Sequence, residues 1–204
     1  WGNAVVAGVV AAAVAQLAED GERARILEIG AGTGATTEVV LDELDREGHE
    51  VDYMFTDISR FFLDSARERW PRLETALFDI NRPAGDQGLP AHSADIVLAA
   101  NVLHNSRDIA VALARVAELL EPSGLAVIID STSDSPLLMT TMEFKEGLPQ
   151  QPDDARAATG SPFLTIDQWR SAIDSSPLRL VDVAPGEGDV LGSGHQHVFV
   201  LTPR

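Results

Sequence analysis

No cysteine occurs among the 204 residues of the chain, and only one of its 15 basic residues is a lysine, Lys145. The missing thiols exclude disulfide bonds, thiolate metal sites and cysteine nucleophiles. Lys145 lies in a mixed polar stretch, so Schiff-base chemistry has no obvious support. No cluster of His and acidic residues has metal-ligand spacing either, and we predict no metal site. The chemistry must therefore come from His, Asp, Glu or a bound cofactor.

The chain also lacks an apolar run long enough for a membrane span, which needs roughly 20 residues. Its longest such run, residues 4–15, is rich in Ala and Gly and has no basic segment before it. We therefore predict a packed helix over about 3–18 and neither a membrane partner nor a signal peptide. The net charge of −17 argues against nucleic acid as a partner. A cytoplasmic location is the expectation that follows.

Helix and strand patterns alternate along most of the chain, which fits one α/β domain over 1–204. The pattern predicts helices and strands at the following positions: helices 3–18, 35–47, 60–69, 108–120 and 166–175; strands 25–30, 51–56, 75–79, 94–100, 124–130, 178–184 and 196–202. Such alternation predicts a doubly wound, Rossmann-like, mostly parallel sheet with helices on both faces. The last two strands have no helix between them and are predicted to form an antiparallel pair at one edge. Residues 131–163 break the alternation and are predicted to be an insertion near the substrate side.

The most informative segment is ILEIGAGTGATT, residues 26–37. A buried strand runs into Gly30, Gly32 and Gly34, and the apolar pattern resumes afterwards as a helix. Glycines in such a turn allow backbone amides to approach a nucleotide-like ligand closely. The GxGxG spacing differs from the GxGxxG of dinucleotide-binding folds. The turn alone is weak evidence, so the residues that follow it decide whether it binds a ligand.

Acidic residues end the next two predicted strands. Asp57 follows Gly34 by 23 residues, where a carboxylate can accept hydrogen bonds from both ribose hydroxyls. Asp79 lies between Phe78 and Ile80, where a carboxylate can bind an exocyclic adenine amine while apolar neighbours hold the ring. Each acid alone can also be an ordinary helix cap or turn residue. Their order behind a glycine turn favours a ligand site at the carboxyl edge of the sheet.

These segments together resemble the class I S-adenosylmethionine-dependent methyltransferases. The resemblance rests on five segments: LEIGAGTG (27–34), FTDIS (55–59), LFDI (77–80), DIVLAANVLH (95–104) and LLEPSGLAVIID (119–130). It implies a seven-stranded sheet with one antiparallel edge strand and S-adenosyl-L-methionine as the cofactor. It further implies that Glu28 and the turn glycines hold the methionyl end, Asp57 the ribose and 78–80 the adenine. We assign three further residues to the same cofactor site: Ala31, Ile58 and Asn101.

A closer resemblance is to the C-methyltransferase domains of polyketide and mixed polyketide/nonribosomal-peptide synthases. It rests on ILEIGAGTGATT, YMFTDIS with FFLDSARER, NVLH and FLTIDQWRSAI. Those domains methylate the α-carbon of a β-ketoacyl chain on a carrier protein, and the His of NVLH is their general base. The resemblance therefore implies that His104 is the base, with Asp130 where the family usually has Glu. It also implies an acyl or peptidyl carrier protein and neighbouring synthase domains as partners, and a domain taken from a larger synthase.

Simple chemistry supports the same assignment. A carbon acid between two carbonyl groups must lose a proton before it attacks a methyl group, and His is suited to accept a proton near neutral pH. A carboxylate beside His104 would fix its tautomer and stabilise the imidazolium. Asp130 is one methylene shorter than Glu, which leaves open a direct or a water-mediated contact. His104 as a helix cap and Asp130 as a turn residue remain alternatives, and Glu143 is the reserve partner.

Other polar residues carry less weight. His195 and His197 alternate on the last strand and are predicted to be surface or edge residues, because two His without a third ligand make a weak metal site. Arg67, Arg69 and Arg72 can dock an acidic carrier or form an ordinary solvated helix end. The chain departs from the family in having Ala35 after the turn and in lacking an aromatic pair after the Asp130 position. The family commonly has an N-terminal lid subdomain, which we expect either to lie outside the given residues or to be replaced by the 131–163 insertion.

The leading hypothesis is C-methylation of a carrier-bound β-ketoacyl thioester. An N- or O-methyltransferase acting on an aminoacyl, thiazolidine or hydroxyl acceptor would use the same cofactor site with His104 as base. A cofactor-binding but inactive scaffold domain is a further alternative. A nicotinamide oxidoreductase is disfavoured by the GxGxG spacing and by Glu28.

Overall fold

The computed structural model describes residues 1–19, 21–133, 152–186 and 195–204. Seven strands and six α-helices lie in these residues, with the following bounds: α1 Gly2–Glu19, β1 Arg25–Ile29, α2 Ala35–Glu47, β2 Asp52–Asp57, α3 Arg60–Arg69, β3 Glu74–Leu77, β4 Ala94–Ala100, α4 Ile109–Leu119, β5 Leu120–Ser131, α5 Arg156–Thr159, α6 Ile166–Asp174, β6 Leu178–Ala184 and β7 Gln196–Pro203. Two 3-10 turns, Gly85–Gln87 and Leu103–Asn105, were not predicted.

The seven strands form one sheet in the order β3-β2-β1-β4-β5-β7-β6. β1 to β5 are parallel to one another, whereas β7 pairs antiparallel with both β5 and β6. The doubly wound fold and the antiparallel pair at one edge are confirmed. Within that pair β7 is the reversed strand and lies between β5 and β6, so β6 forms the edge itself. A reversed β7 follows from the missing crossover helix, because a parallel pairing would require one.

Helices cover both faces of the sheet, as predicted. On one face α1 and α2 bury Val10, Val40 and Leu44 against the β1 side chain Ile26. On the other face α4 packs against β4 and β5, and α6 packs against α4 and β6, with Trp169 of α6 stacked on Phe199 of β7 at a ring-centroid distance of 4.9 Å. The central strands β1, β4 and β5 bury alternate side chains in the two layers, which explains their continuous apolar runs.

Helix α1 is long and apolar enough to cross a membrane by length and composition. In this structure it instead contacts α2, β5 and β7, and its residues Val6, Val10 and Val14 are buried. The predicted packed helix is therefore present. The predicted segment 131–163 is described only at 131–133 and 152–163, and Glu143, Lys145 and the proposed helix 137–147 lie outside the described residues.

Candidate active site

The carboxyl ends of β1, β2, β4 and β5 lie at one edge of the sheet because these strands are parallel. The glycine turn follows β1, Asp57 ends β2, Asn101 follows β4 and Asp130 lies near the end of β5. The residues predicted from the sequence thus meet at the carboxyl end of the parallel strands, where doubly wound sheets bind their ligands. They form two neighbouring groups, one around the turn and one around His104.

The three turn glycines have left-handed backbones, with φ of 59° at Gly30, 57° at Gly32 and 77° at Gly34. A Cβ on Gly30 would lie 2.2 Å from Val102 Cγ2, and one on Gly34 would lie 2.4 Å from the Trp70 ring. These two positions therefore require glycine for internal packing as well as for backbone conformation. At Gly32 the nearest atom to such a Cβ is the Gly30 carbonyl oxygen at 4.0 Å. Of the three glycines, Gly32 alone has open space beside it as far as the described residues extend, and a ligand can approach the turn there.

The Asp57 carboxylate joins the end of β2 to the glycine turn. Its Oδ2 accepts a hydrogen bond of 2.9 Å from the Gly32 amide, and its Oδ1 accepts one of 2.8 Å from the Ser59 amide. The Ala31 amide also donates to the Thr56 carbonyl at 3.0 Å. A carboxylate has about four acceptor positions, so two such bonds leave acceptor capacity for ligand hydroxyls. The two bonds pre-set the carboxylate beside the open glycine.

Among the apolar residues predicted to contact the cofactor, Ile58 is 70% exposed, whereas Phe78 and Ile80, predicted beside the adenine, belong to the buried core. Asp79 is half-buried, and its Oδ1 accepts a hydrogen bond of 2.9 Å from the Asn81 amide. Its own amide donates to Gln87 Oε1 at 2.8 Å. Ile58 and Asp79 thus have accessible surface that a cofactor can contact. Contact of Phe78 and Ile80 with the ring stays a prediction.

Glu28 lies beneath the turn and has no exposed surface. Its Oε2 accepts hydrogen bonds from the Thr37 hydroxyl and, at 2.6 Å, from the Tyr53 hydroxyl. Its Oε1 is buried without a hydrogen-bond partner in the part of the chain described. Burial raises the pKa of the Glu28 carboxyl, and the two hydroxyl donors only partly oppose that shift. Glu28 therefore links α2 to β1 and β2, while direct contact with the cofactor stays a prediction.

Asn101 has a left-handed backbone, with φ of 53°, at the carboxyl end of β4. Its amide donates to the Ile129 carbonyl at 2.7 Å, and its side-chain Oδ1 accepts a hydrogen bond of 2.6 Å from Gln196 Nε2. A non-glycine residue in this conformation is uncommon and persists where the surroundings fix it. Asn101 turns the chain so that Val102 covers Gly30, and this contact joins the two groups of the site.

His104 and Asp130 form a buried pair. His104 is 4% exposed and Asp130 is fully buried. His104 Nδ1 lies 2.7 Å from Asp130 Oδ1, and the His104 amide donates to Asp130 Oδ2 at 3.0 Å. The Ser131 amide adds a bond of 2.8 Å to Oδ1. The contact is direct, so the shorter Asp side chain needs no bridging water. The position of Asp130 on β5 and the 3-10 turn that carries His104 bring these two side chains into contact.

The pairing with Asp130 defines the chemistry of the imidazole. A proton on Nδ1 donates to the carboxylate, which leaves the lone pair of a neutral ring on Nε2. Nε2 is buried and has no hydrogen-bond partner among the described residues. The Phe163 ring meets the imidazole edge-on, with ring centroids 5.2 Å apart. This arrangement can accept a proton at Nε2 and stabilise the resulting imidazolium through Asp130.

Sequence reasoning missed the groups that hold His104 from the other side. Arg156 in α5 is buried and donates to the His104 carbonyl, and Asp154 pairs with its guanidinium. Phe163, in the same segment, contacts the imidazole ring. No periodic pattern marks Arg156, because it lies in a polar stretch rich in Asp and Pro. Only the folded structure brings Arg156 next to the turn that carries His104.

The remaining candidates are not part of the His104–Asp130 pair, although His197 lies opposite Asp130 on the neighbouring strand β7. His197 Nδ1 lies 2.7 Å from the Thr132 hydroxyl, and His195 is exposed. Among the described residues there is no group of three or more potential metal ligands. Arg67, Arg69 and Arg72 pair with Asp64, Glu38 and Asp45 on the surface. Their ion pairs favour the solvated helix end over a dedicated docking cluster.

Comparison with known proteins supports the assignment to the methyltransferases that the sequence segments suggested. A family model described as a methyltransferase domain matches residues 27–126. Polyketide synthase ThaG of Burkholderia thailandensis is 37% identical over 202 residues, which cover 97% of this chain and 4% of that protein. The structure of the CurJ carbon methyltransferase is 29% identical with a TM-score of 0.77, covering 89% of this chain and 49% of that one. The trans-methyltransferase CalH, in complex with SAH, is 28% identical with a TM-score of 0.78, covering 89% and 52%.

These matches show that the chain contains a methyltransferase domain, and its sheet order and glycine turn agree with the class I S-adenosylmethionine-dependent methyltransferases. Its cofactor is S-adenosylmethionine. Within that class it resembles the carbon-methyltransferase domains of polyketide synthases. The chain spans only 4% of the curated relative's length and about half of the two matched structures.

Proposed function

We propose that this domain transfers a methyl group to the α-carbon of a β-ketoacyl thioester presented by a carrier protein. The observation that carries the proposal is the buried His104–Asp130 pair, with Nδ1 and Oδ1 2.7 Å apart. When bound, S-adenosylmethionine supplies an electrophilic methyl group and leaves as a neutral thioether. The chain then needs to remove one proton from the substrate and to hold the carbon in line.

His104 Nε2 accepts the α-proton of the substrate, so the electron pair of the broken C–H bond becomes the enolate. Asp130 stabilises the imidazolium that results, because its carboxylate bonds to Nδ1. The burial of both side chains strengthens that charge interaction and keeps competing water away. After methyl transfer the imidazolium returns its proton to solvent. Asp57 and the Gly32 amide are our proposed cofactor contacts, together with Glu28, Gly30, Ala31, Gly34, Ile58, Phe78, Asp79, Ile80 and Asn101.

The proposal of a carrier-bound substrate rests on the matched relative, and it must account for the charge of the chain. The matched relative is a polyketide synthase many times longer than this chain. The net charge of −17 would repel an acidic carrier in free solution. A shared polypeptide raises the effective concentration of the carrier and offsets that repulsion.

The test incubates the protein with S-adenosylmethionine and matched β-ketoacyl and aminoacyl pantetheine thioesters, followed by mass spectrometry of the products. We expect a methyl group on the α-carbon of the β-ketoacyl thioester. The His104→Ala variant should bind cofactor normally and lose about 10²–10⁴-fold in kcat, because its role is proton removal. Methylation of nitrogen or oxygen would refute the carbon reaction, and cofactor binding without turnover would identify an inactive scaffold.

A further inference from the structure

Arg156 is an arginine inside the protein. It lies in the short helix α5 and is 1% exposed. Asp154 neutralises it through two hydrogen bonds, Nε to Oδ1 at 2.8 Å and Nη2 to Oδ2 at 2.7 Å. Burial acts to raise the pKa of Asp154, but the hydrogen bonds from Arg156 and Ile109, together with the charge of Arg156, outweigh it and hold that pKa below its usual value. A buried ion pair adds little to stability relative to apolar packing, so its placement needs another explanation.

The remaining donors of the guanidinium reach the backbone around His104. Nη1 donates to the His104 carbonyl at 2.6 Å, and Nη2 donates to the Ser106 carbonyl at 2.8 Å. Asp154 Oδ2 also accepts a hydrogen bond of 3.0 Å from the amide of Ile109, the first residue of α4. One ion pair therefore binds both the 3-10 turn that carries His104 and the start of the helix that follows.

The imidazole is thus fixed from two sides. From the sheet, Asp130 accepts hydrogen bonds from the Nδ1 of His104 and from the backbone amide of His104. From segment 152–163, Arg156 binds its backbone carbonyl and Phe163 packs against its ring. If the turn shifted, the Nδ1–Oδ1 contact and the direction of the Nε2 lone pair would change together. A misplacement of about 1 Å can lower a rate 10²-fold.

We propose that Arg156, held by Asp154, is a positioning residue that keeps the His104 imidazole aligned with Asp130 and with the substrate carbon. This inference rests on the proposed role of His104 as the base. Arg156 touches only the backbone of the turn, so it takes no part in proton transfer itself. Its effect on catalysis must therefore pass through His104.

The test is a double-mutant cycle with Arg156→Lys and His104→Ala. Lysine keeps the charge against Asp154 but lacks the planar fork that reaches two carbonyl groups at once. We expect Arg156→Lys to lower kcat about tenfold or more while the Kd for S-adenosylmethionine is unchanged. In the His104→Ala background the same change should alter kcat less than about twofold, because coupled residues are not additive. An equal loss in both backgrounds would show a general structural role and overturn the proposal.

The matched control is Arg107→Lys, since Arg107 pairs with Asp153 in the same region but is 68% exposed. It should leave kcat unchanged. A second pair of changes, Asp154→Asn with Arg156→Gln, removes both charges and so leaves no uncompensated buried ion. Wild-type kcat in that folded double variant would also overturn the proposal.

A measurement without cofactor or turnover completes the test. The ¹⁵N shifts of the His104 ring report which nitrogen carries the proton, and we expect Arg156→Lys to shift or broaden them while Arg107→Lys does not. Unchanged shifts would contradict positioning. If His104→Ala retains full activity, or if the methyl group is found on nitrogen or oxygen, the proposed function fails instead. If His104→Ala is inactive and Arg156→Lys is fully active, only the positioning role fails.

Discussion

The glycine-turn group and the His104 group lie at the same sheet edge but differ in access. Around the turn, Gly32 has open space above it, Ile58 is 70% exposed and Asp79 is half-buried. In the other group, His104, Asp130 and Arg156 are each less than 5% exposed. One group presents backbone amides and acceptors to a large ligand. The other encloses one imidazole.

This difference fits the two tasks that we propose for the groups. Binding a nucleoside requires surface that is accessible before the ligand arrives. Proton removal requires one nitrogen in a fixed tautomer, shielded from water and supported by a buried charge. We therefore expect substitutions in the open group to change affinity or folding, and substitutions in the closed group to change kcat.

The largest expected effect is that of Asp130→Asn, which tests the closed group. An amide can donate to Nδ1 and so favour the imidazole tautomer with its proton on Nε2, which cannot accept another. We expect kcat to fall about 10³–10⁴-fold, as for a comparable change in a serine-protease triad. The Kd for S-adenosylmethionine, measured by calorimetry, should stay within about twofold of the wild-type value. A change of that size is well below about 1.4 kcal/mol of binding free energy, which corresponds to tenfold in Kd. A large loss of cofactor affinity would remove the distinction between the two groups.

Alanine substitutions at two turn glycines should separate packing from ligand access. Gly30→Ala combines a left-handed backbone with a collision at Val102, and we expect it to lower the free energy of unfolding by about 2–4 kcal/mol. Gly32→Ala carries the backbone strain alone and should lower it by about 1–2 kcal/mol. Urea unfolding measures both. Equal losses in the free energy of unfolding of the two variants would show that the Val102 side chain moves aside at no cost in stability.

Asp57→Ala should weaken cofactor binding. Loss of hydrogen bonds to a charged acceptor corresponds to about 1.5–3 kcal/mol, or roughly 10–100-fold in Kd. At saturating cofactor kcat should stay close to that of wild type, because Asp57 does not contact the base. Asp64→Ala is the control, since Asp64 is an exposed acid on the neighbouring helix α3. A fall in kcat with unchanged Kd would place Asp57 in the chemical step.

Glu28→Gln should give the smallest effect, and one that depends on pH. Because burial raises the pKa of this carboxyl in the folded state, the folded protein binds its proton more tightly than the unfolded chain does. The free energy of unfolding of the wild type therefore falls as pH rises above the unfolded carboxyl pKa of about 4.3. The amide does not titrate, so the variant should gain stability relative to wild type as pH rises. Parallel stability curves from pH 4 to 8 would contradict this interpretation.

Much of the fold was predictable because its signals are local. The predicted bounds of α2 and α3 coincide with those observed, since caps, glycines and apolar spacing lie within each segment. The pairing of His104 with Asp130 was expected from strand order and from the family resemblance. Its direct contact was not, because one methylene decides the distance only in a known register. Arg156 was missed, since its partners are 50 and 52 residues away and no pattern connects them.

The contact between Val102 and Gly30 has a consequence for redesign. The branched side chain occupies the volume that a Cβ at residue 30 would require, so the identities of these two positions constrain each other. A chimera that takes the segment 101–104 from a relative with another acceptor, but keeps the turn of this chain, inherits that constraint. A smaller residue at 102 would leave a void over the turn, and a larger one would press on it. Segments exchanged to alter acceptor preference should therefore include both positions.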